Sequence, residues 1–169
     1  MSEAKVLIIM GSDSDFPVME GCFKILKRFG IGFEAHVASA HRTPERAAEL
    51  SKSAKDNGFK VIIAAAGLAA HLAGVIASNT ALPVIGVPCK GGALNGVDAL
   101  YATVQMPTGI PVATVAIDGG SNAAILACQI LAVSDGDLYD KLVSYKKELA
   151  ESVGERDNRL QAKIKDMEA

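Results

Sequence analysis

Cysteine is scarce and unpaired in this sequence. Cys22, Cys89 and Cys128 are odd in number, widely spaced and form no CxxC pair, which indicates neither a disulfide framework nor a zinc site and fits a reducing cytoplasm. The three histidines, His36, His41 and His71, show neither HxH nor HExxH spacing, so no metal centre is expected. Charge is thin as well: Asp, Glu, Lys and Arg make up 21% of residues, with a formal net charge of −2. Nowhere do Lys and Arg gather into the surface that a nucleic-acid backbone demands. Internal repeats and low-complexity linkers are missing, and so are the P-loop lysine and the GxGxxG spacing of nucleotide and dinucleotide sites. The first residues, Met1-Ser2-Glu3-Ala4-Lys5, contain an acid and lead into only five apolar residues, Val6 to Met10, too short for a signal-peptide core, so no export is expected.

What is present describes one globular domain. The chain has 169 residues, half of them apolar, and a mean hydropathy of +0.26. That is more apolar than a solitary domain of this size needs, and it predicts strands buried on both faces together with a subunit interface, hence a homo-oligomer. Val61 to Ala77 has no charged residue and approaches the length of a membrane span. Its β-branched start, Gly67 in the middle and His71 beyond it read instead as a buried strand, a close-packed turn and a small-residue helix.

Strand patterns near 5–10, 32–37, 60–65, 83–87 and 112–117 alternate with helical segments. Short connections then require a parallel sheet with right-handed crossovers. Thr43 as cap, Pro44 in the first turn and Glu45 at the positive end open one helix, which Asn57-Gly58 closes. Ser121 or Asn122 starts another. Leu138, Leu142, Tyr145, Leu149 and Val153 mark one face of a last helix beginning near Asp135-Gly136-Asp137. The charged stretch 154–169 keeps Leu160, Ile164 and Met167 at helical spacing and is either frayed or packed on a neighbouring subunit.

In an open parallel sheet the loops after successive strands converge on one crevice. Gly11-Ser12-Asp13-Ser14-Asp15 suits a sugar phosphate: Gly11 permits close backbone approach, the hydroxyls of Ser12 and Ser14 can donate to phosphate oxygens, and Asp15 can accept from a ribose diol. A helix cap without a ligand explains the same pentapeptide. In Ser39-Ala40-His41-Arg42-Thr43-Pro44, Arg42 supplies a planar donor fork and Ser39 another donor, with His41 placed to move protons near neutral pH. The alternative is a surface loop whose histidine only caps the sheet edge. The loop Ala66-Gly67-Leu68-Ala69-Ala70-His71-Leu72 is small enough to admit a planar molecule against backbone amides. His71, at a helix start, is either a neutral donor or a structural histidine. His36 falls within a strand and serves packing or the surface. Pro88-Cys89-Lys90-Gly91-Gly92-Ala93-Leu94 closes the same edge, where it can contribute amides or cover the substrate; Cys89 lacks an activating base and reads as a small buried or partly buried thiol.

At these residues the chain resembles the catalytic family of N5-carboxyaminoimidazole ribonucleotide mutase, also called the catalytic subunit of phosphoribosylaminoimidazole carboxylase. The resemblance runs from about Val6 to Val153. It rests on GSDSD, SAHRTP, AAHL, Gly96-Val97-Asp98-Ala99-Leu100, Val104-Gln105-Met106-Pro107 and Gly109-Ile110-Pro111-Val112-Ala113-Thr114, in that order. It implies a three-layer α/β/α, flavodoxin-like parallel sheet with a C-terminal helical extension: one catalytic domain over 1–153, then a charged tail over 154–169, helical or frayed. It further implies a cytoplasmic homo-octamer without metal, ATP or organic cofactor, acting on an aminoimidazole ribonucleotide.

Carried over residue by residue, the resemblance puts Ser12, Ser14, Ser39 and Arg42 around the phosphate and Asp15 at the ribose. Gly11, Ala40, Gly67, Ala69, Ala70 and Leu72 complete the substrate-binding set, with His41 and His71 catalytic. His41 would be general acid and base for moving a carboxyl group from the exocyclic nitrogen to ring carbon C4, while the loop Gly67 to His71 holds CO2 in between. A related branch that carboxylates aminoimidazole ribonucleotide directly carries lysine in place of Arg42 and no histidine in place of His71, so both residues favour the mutase. Three places depart from the common mutase pattern: Leu68 replaces a usual glycine, Ala73 a usual proline, and Gly91-Gly92 larger or hydroxylated residues.

Overall fold

The computed structural model describes residues 4–167, which form two compact units dividing between Leu131 and Ala132. In the first unit the chain alternates β1 (Ala4–Met10), α1 (Phe16–Phe29), β2 (Gly32–Val37), α2 (Pro44–Ser53), β3 (Val61–Gly67), α3 (Leu72–Ser78), β4 (Val84–Cys89), α4 (Val97–Val104), β5 (Ala113–Thr114) and α5 (Gly120–Ala132). The five strands pair in parallel in the order β2-β1-β3-β4-β5. Registers such as Ile8↔Ile63 and Ile63↔Ile85 stack apolar side chains across the centre. β3 and β4 are almost wholly buried and read as unbroken apolar runs, whereas β2, with Glu34 and His36, is a half-exposed edge. His36 indeed lies on that strand, with its Nε2 3.6 Å from Glu34.

Side-chain alternation divides the strands between two cores. Leu7, Ile9, Ile62 and Ala64 pack with Ala47 of α2 and Leu72 and Ile76 of α3. Gly86 of β4 faces Thr103 of α4 on that side, so close that an added Cβ would collide with it. Val6, Ile8 and Ile63 point the other way and are fully buried. α1 and α5 meet closely enough that a Cβ on Gly120 would strike the Val18 carbonyl. The result is a three-layer α/β/α, flavodoxin-like arrangement.

The uncharged stretch from Val61 is β3, a turn and α3, as its composition indicated. Among the described residues no helix is long and apolar enough to cross a membrane. Three local expectations change. Thr43 stands at the N-cap of α2 but does not cap it with its side chain, because its hydroxyl accepts from Ser39 N–H and donates to the Ser39 carbonyl instead. α2 ends at Ser53, ahead of Asn57-Gly58, and turns lead on to Gly58 at φ +90. β5 shrinks from 112–117 to two residues, paired only with Ile85 and Gly86; Pro111 before it has no N–H to give a ladder. In the second unit α6 (Gly136–Met167) is one continuous helix, opened by Asp135 accepting the Leu138 N–H at 3.1 Å. No break falls at Gly154, where the expected tail begins.

Candidate active site

All four loops singled out in the sequence leave the carboxyl edge of the sheet and line one cleft of about 480 Å³. The first, Gly11 to Asp15, is anchored by Gly11 N–H donating to the Ala65 carbonyl at 2.9 Å. It then forms a reciprocal cap. Ser12 Oγ accepts from Ser14 N–H (3.2 Å) and from the Ser14 hydroxyl (2.8 Å), while Asp15 Oδ2 accepts from Ser12 N–H (3.0 Å). The cap reading of this pentapeptide is therefore realised, yet Gly11, Ser12, Ser14 and Asp15 all still face the cleft. The Asp13 side chain is exposed and accepts from Ser12 Oγ at 3.2 Å.

Asp15 is buried. Burial pushes its carboxyl up from the ordinary value, against the opposing pull of the Ser12 and Gly11 N–H groups and the Cys89 thiol. Cys89 is buried too. Loss of water, together with the negative charges of Asp15 and Asp118, pushes its thiol up to about 12. A thiol that keeps its proton is no nucleophile, as the lack of an activating base suggested.

In the second loop Ser39 Oγ accepts from the N–H groups of both His41 (3.3 Å) and Arg42 (3.2 Å). These bonds use the Ser39 oxygen and not its hydroxyl proton, and the loop is closed by the Thr43 bonds described above. His41 and Arg42 are exposed, and Ala40 lines the wall. In the third loop Gly67, Ala69, His71 and Leu72 line the cleft. Ala70 does not: its side chain is only 2% exposed and turns into the core, so Ala70 is removed from the lining. Gly67 suits a close approach, since a Cβ there would stand 3.2 Å from the Cys89 carbonyl oxygen, tighter than an ordinary contact.

His41 and His71 come together. Their Nε2 and Nδ1 atoms are 2.7 Å apart, with the rings edge to face at 76°. Two ring nitrogens at that distance require one hydrogen between them, so one ring donates and the other accepts. The pair thus shares a proton, and each ring keeps a second nitrogen for another partner. His71 occupies the N-cap position of α3 but makes no side-chain cap bond; its ring is committed to His41.

Ala66, Leu68, Lys90, Gly91 and Gly92 also line the cleft; the sequence pointed to their two loops but not to these residues individually. Lys90 adds a second cation to Arg42. Its loop is braced by Asp118, whose Oδ1 accepts the Lys90 N–H at 2.7 Å. Nothing local in the sequence connects two residues 28 positions apart. Among the described residues no group of three or more His, Cys, Asp or Glu side chains is placed to hold a metal ion. The cleft can hold an anion by hydroxyls, amides and two cations, and can pass a proton beside it.

A family model described as AIR carboxylase matches residues 5–152. An N5-carboxyaminoimidazole ribonucleotide mutase of Pyrococcus horikoshii is 56% identical, over 91% of this chain and 87% of that protein. A phosphoribosylaminoimidazole carboxylase of Saccharomyces cerevisiae is 51% identical over 90% of this chain, which corresponds to 27% of the yeast protein. A crystal structure of Treponema denticola PurE superposes with a TM-score of 0.83 at 31% identity, covering 93% of this chain and 98% of that one.

Proposed function

We propose a reaction for this chain, which belongs to the AIR carboxylase family: the conversion of N5-carboxyaminoimidazole ribonucleotide to 4-carboxy-5-aminoimidazole ribonucleotide in purine biosynthesis. The mutases among its relatives support that direction, and so do Arg42 and His71, which the direct-carboxylating branch lacks. The observation that carries the reading is the 2.7 Å contact between His41 and His71 beside a phosphate-type loop.

The substrate phosphate lies among the hydroxyls of Ser12, Ser14 and Ser39 and the Arg42 fork, with Gly11 and Ala40 giving it room, and Asp15 receives the ribose hydroxyls. The aminoimidazole ring lies against Gly67, Ala69 and Leu72. His41 then works twice. The N–C bond of the carbamate breaks, its electron pair stays on nitrogen, and nitrogen takes a proton from His41 as CO2 is released. C4 attacks the CO2, and the proton on C4 returns to His41, restoring the aromatic ring and the enzyme's starting state. His71 holds the shared proton in line. Nothing is oxidised, and no metal, ATP or organic cofactor takes part.

A homo-octamer is the assembly that the family resemblance implies for this chain. Val97, Tyr101 and Val104 form an exposed apolar stripe at helical spacing on α4, the kind of face that subunits cover; sedimentation equilibrium tests it. Three buried free cysteines support a cytoplasmic setting.

The test is conversion of freshly generated N5-carboxyaminoimidazole ribonucleotide to its C4 isomer, beside aminoimidazole ribonucleotide with low bicarbonate and no ATP. Turnover of the first alone establishes the mutase. Preference for the second moves the chain to direct carboxylation, and tight binding without turnover makes it a nucleotide-binding module.

A further inference from the structure

Leu68 breaks a local rule. It sits at φ +55, in the left-handed region that L side chains resist, and burial does not compensate, because 55% of its surface is exposed. Its side chain crosses to the facing loop instead. A Cβ built on Gly92 would lie 2.7 Å from Leu68 Cδ2, and one on Gly91 3.9 Å from the same atom. Gly92 is itself left-handed, at φ +59. A side chain at position 92 and the present Leu68 rotamer therefore compete for one volume, so the two departures from the common pattern are complementary rather than independent.

The loops that carry them cannot drift apart freely. Gly67 is pressed against the Cys89 carbonyl, and the Lys90 N–H is held by Asp118. Leu68, Gly91 and Gly92 line the same cleft as His41 and His71, and Leu68 precedes His71 by three residues in one loop. An isobutyl group held at the mouth of a polar cleft at a conformational cost marks function rather than folding.

We propose that Leu68, seated over Gly91-Gly92, is a positioning residue: an apolar cover on the transfer end of the cleft that keeps water out and the free carboxyl group in. This rests on the mutase reading. Once the carbamate N–C bond has broken, CO2 either bonds to C4 or diffuses away, and a wall that lengthens its stay favours the first. The leucine supplies from the third loop the bulk that a side chain at position 92 would supply from the fourth.

Leu68→Gly, Gly92→Ser and the double variant test this, by quantifying C4-carboxylated product against aminoimidazole ribonucleotide formed from the N5-carboxylated substrate, corrected for spontaneous decay. Leu68→Gly is expected to leave KM within about twofold while raising the decarboxylated fraction about threefold or more, since capture and not binding is impaired. Gly92→Ser alone is expected to lower kcat/KM by about tenfold, by straining the backbone at φ +59 and displacing the end of Leu68 from its seat, and the double variant to recover only the part due to Leu68. Melting curves for each variant separate misfolding from leakage, and Leu68→Gly decides the matter alone if Gly92→Ser does not fold. An active wild type with unchanged partition in Leu68→Gly overturns the proposal for Leu68 only. A wild type that turns over no N5-carboxylated substrate overturns the mutase reading, and the cover goes with it.

Discussion

His41→Asn separates the chemistry from the scaffold. The residue's own N–H, which bonds Ser39 Oγ at 3.3 Å, is unaffected by the substitution, and the side chain it replaces is exposed. The folded state should therefore lose little beyond the exposed hydrogen bond to His71, about 0.5–1.5 kcal/mol. The proposed phosphate partners, Ser12, Ser14, Ser39 and Arg42, also stay in place, so affinity for aminoimidazole ribonucleotide measured by calorimetry should change by less than about threefold, or roughly 0.7 kcal/mol. Turnover is different. A positioned general acid and base contributes about 10²–10⁴ in rate, roughly 2.7–5.5 kcal/mol, and asparagine neither takes nor returns a proton. kcat for the isomerisation should fall by at least about a hundredfold. Because His41 and His71 share one hydrogen at 2.7 Å, His71→Asn should also lower kcat, and the double variant should be little worse than His41→Asn. Two results would refute the reasoning: kcat within about tenfold of wild type, or loss of ligand affinity and of the thermal transition together, which would make His41 structural.

Other expectations follow from the same geometry. Arg42→Lys removes a planar fork and should raise KM by about tenfold with kcat nearly constant; steady-state kinetics that leave KM unchanged would place the phosphate elsewhere. Burial raises the Asp15 carboxyl, so the folded state holds that proton more tightly than the unfolded chain, and its contribution to stability fades as pH climbs through the folded value. Asp15→Asn, which can still accept the Ser12 N–H, should therefore melt higher than wild type at neutral pH while binding the ribonucleotide more weakly; a lower melting point contradicts this. Cys22, Cys89 and Cys128 are pushed from 9.0 up to about 12, 12 and 11. Raised folded values mean that stability is intact below 9 and falls as pH rises toward 11 to 12. Urea midpoints should drop between about pH 9 and 11, less steeply in Cys22→Ala, and a flat profile would count against buried thiols.

The central strands were legible because burial on both faces leaves an uninterrupted apolar run, as in Val61 to Ala66, and the edge strand β2 was legible because Glu34 and His36 interrupt it. β5 was misjudged since the same apolar pattern at 112–117 says nothing about the partner strand, which offers only Ile85 and Gly86. Hydroxyl chemistry was ambiguous for a similar reason. Thr43 looks like a cap in any sequence, and whether its oxygen turns to its own helix or back to Ser39 depends on a loop closing over four residues. Ala70 was grouped with its neighbours because a run of small residues carries no sign of which one points inward. Leu68 and Gly92 each registered as an oddity; only in three dimensions do they become one feature.

The strand order explains why the site is built as a bridge. His41 follows β2 and His71 follows β3, and β1 lies between those strands, so the two loops start roughly 9.6 Å apart, at about 4.8 Å per strand step. Their ring nitrogens nevertheless approach to 2.7 Å. The side chains must therefore lean toward each other across the end of β1, where the chain turns into Gly11 to Asp15. This is the point at which the crossovers change direction, from β1 out to β2 and then back to β3 and β4, and where an open sheet leaves its crevice. Backbone bonds fix the spacing: Ala38 N–H to the Met10 carbonyl joins the second loop to β1, and Gly11 N–H to the Ala65 carbonyl joins the first loop to β3, both at 2.9 Å. Because main-chain groups carry that bracing, substitutions at His41 or Arg42 change the chemistry while the frame stands. A longer connection after β2 would pull the histidines apart without touching either of them.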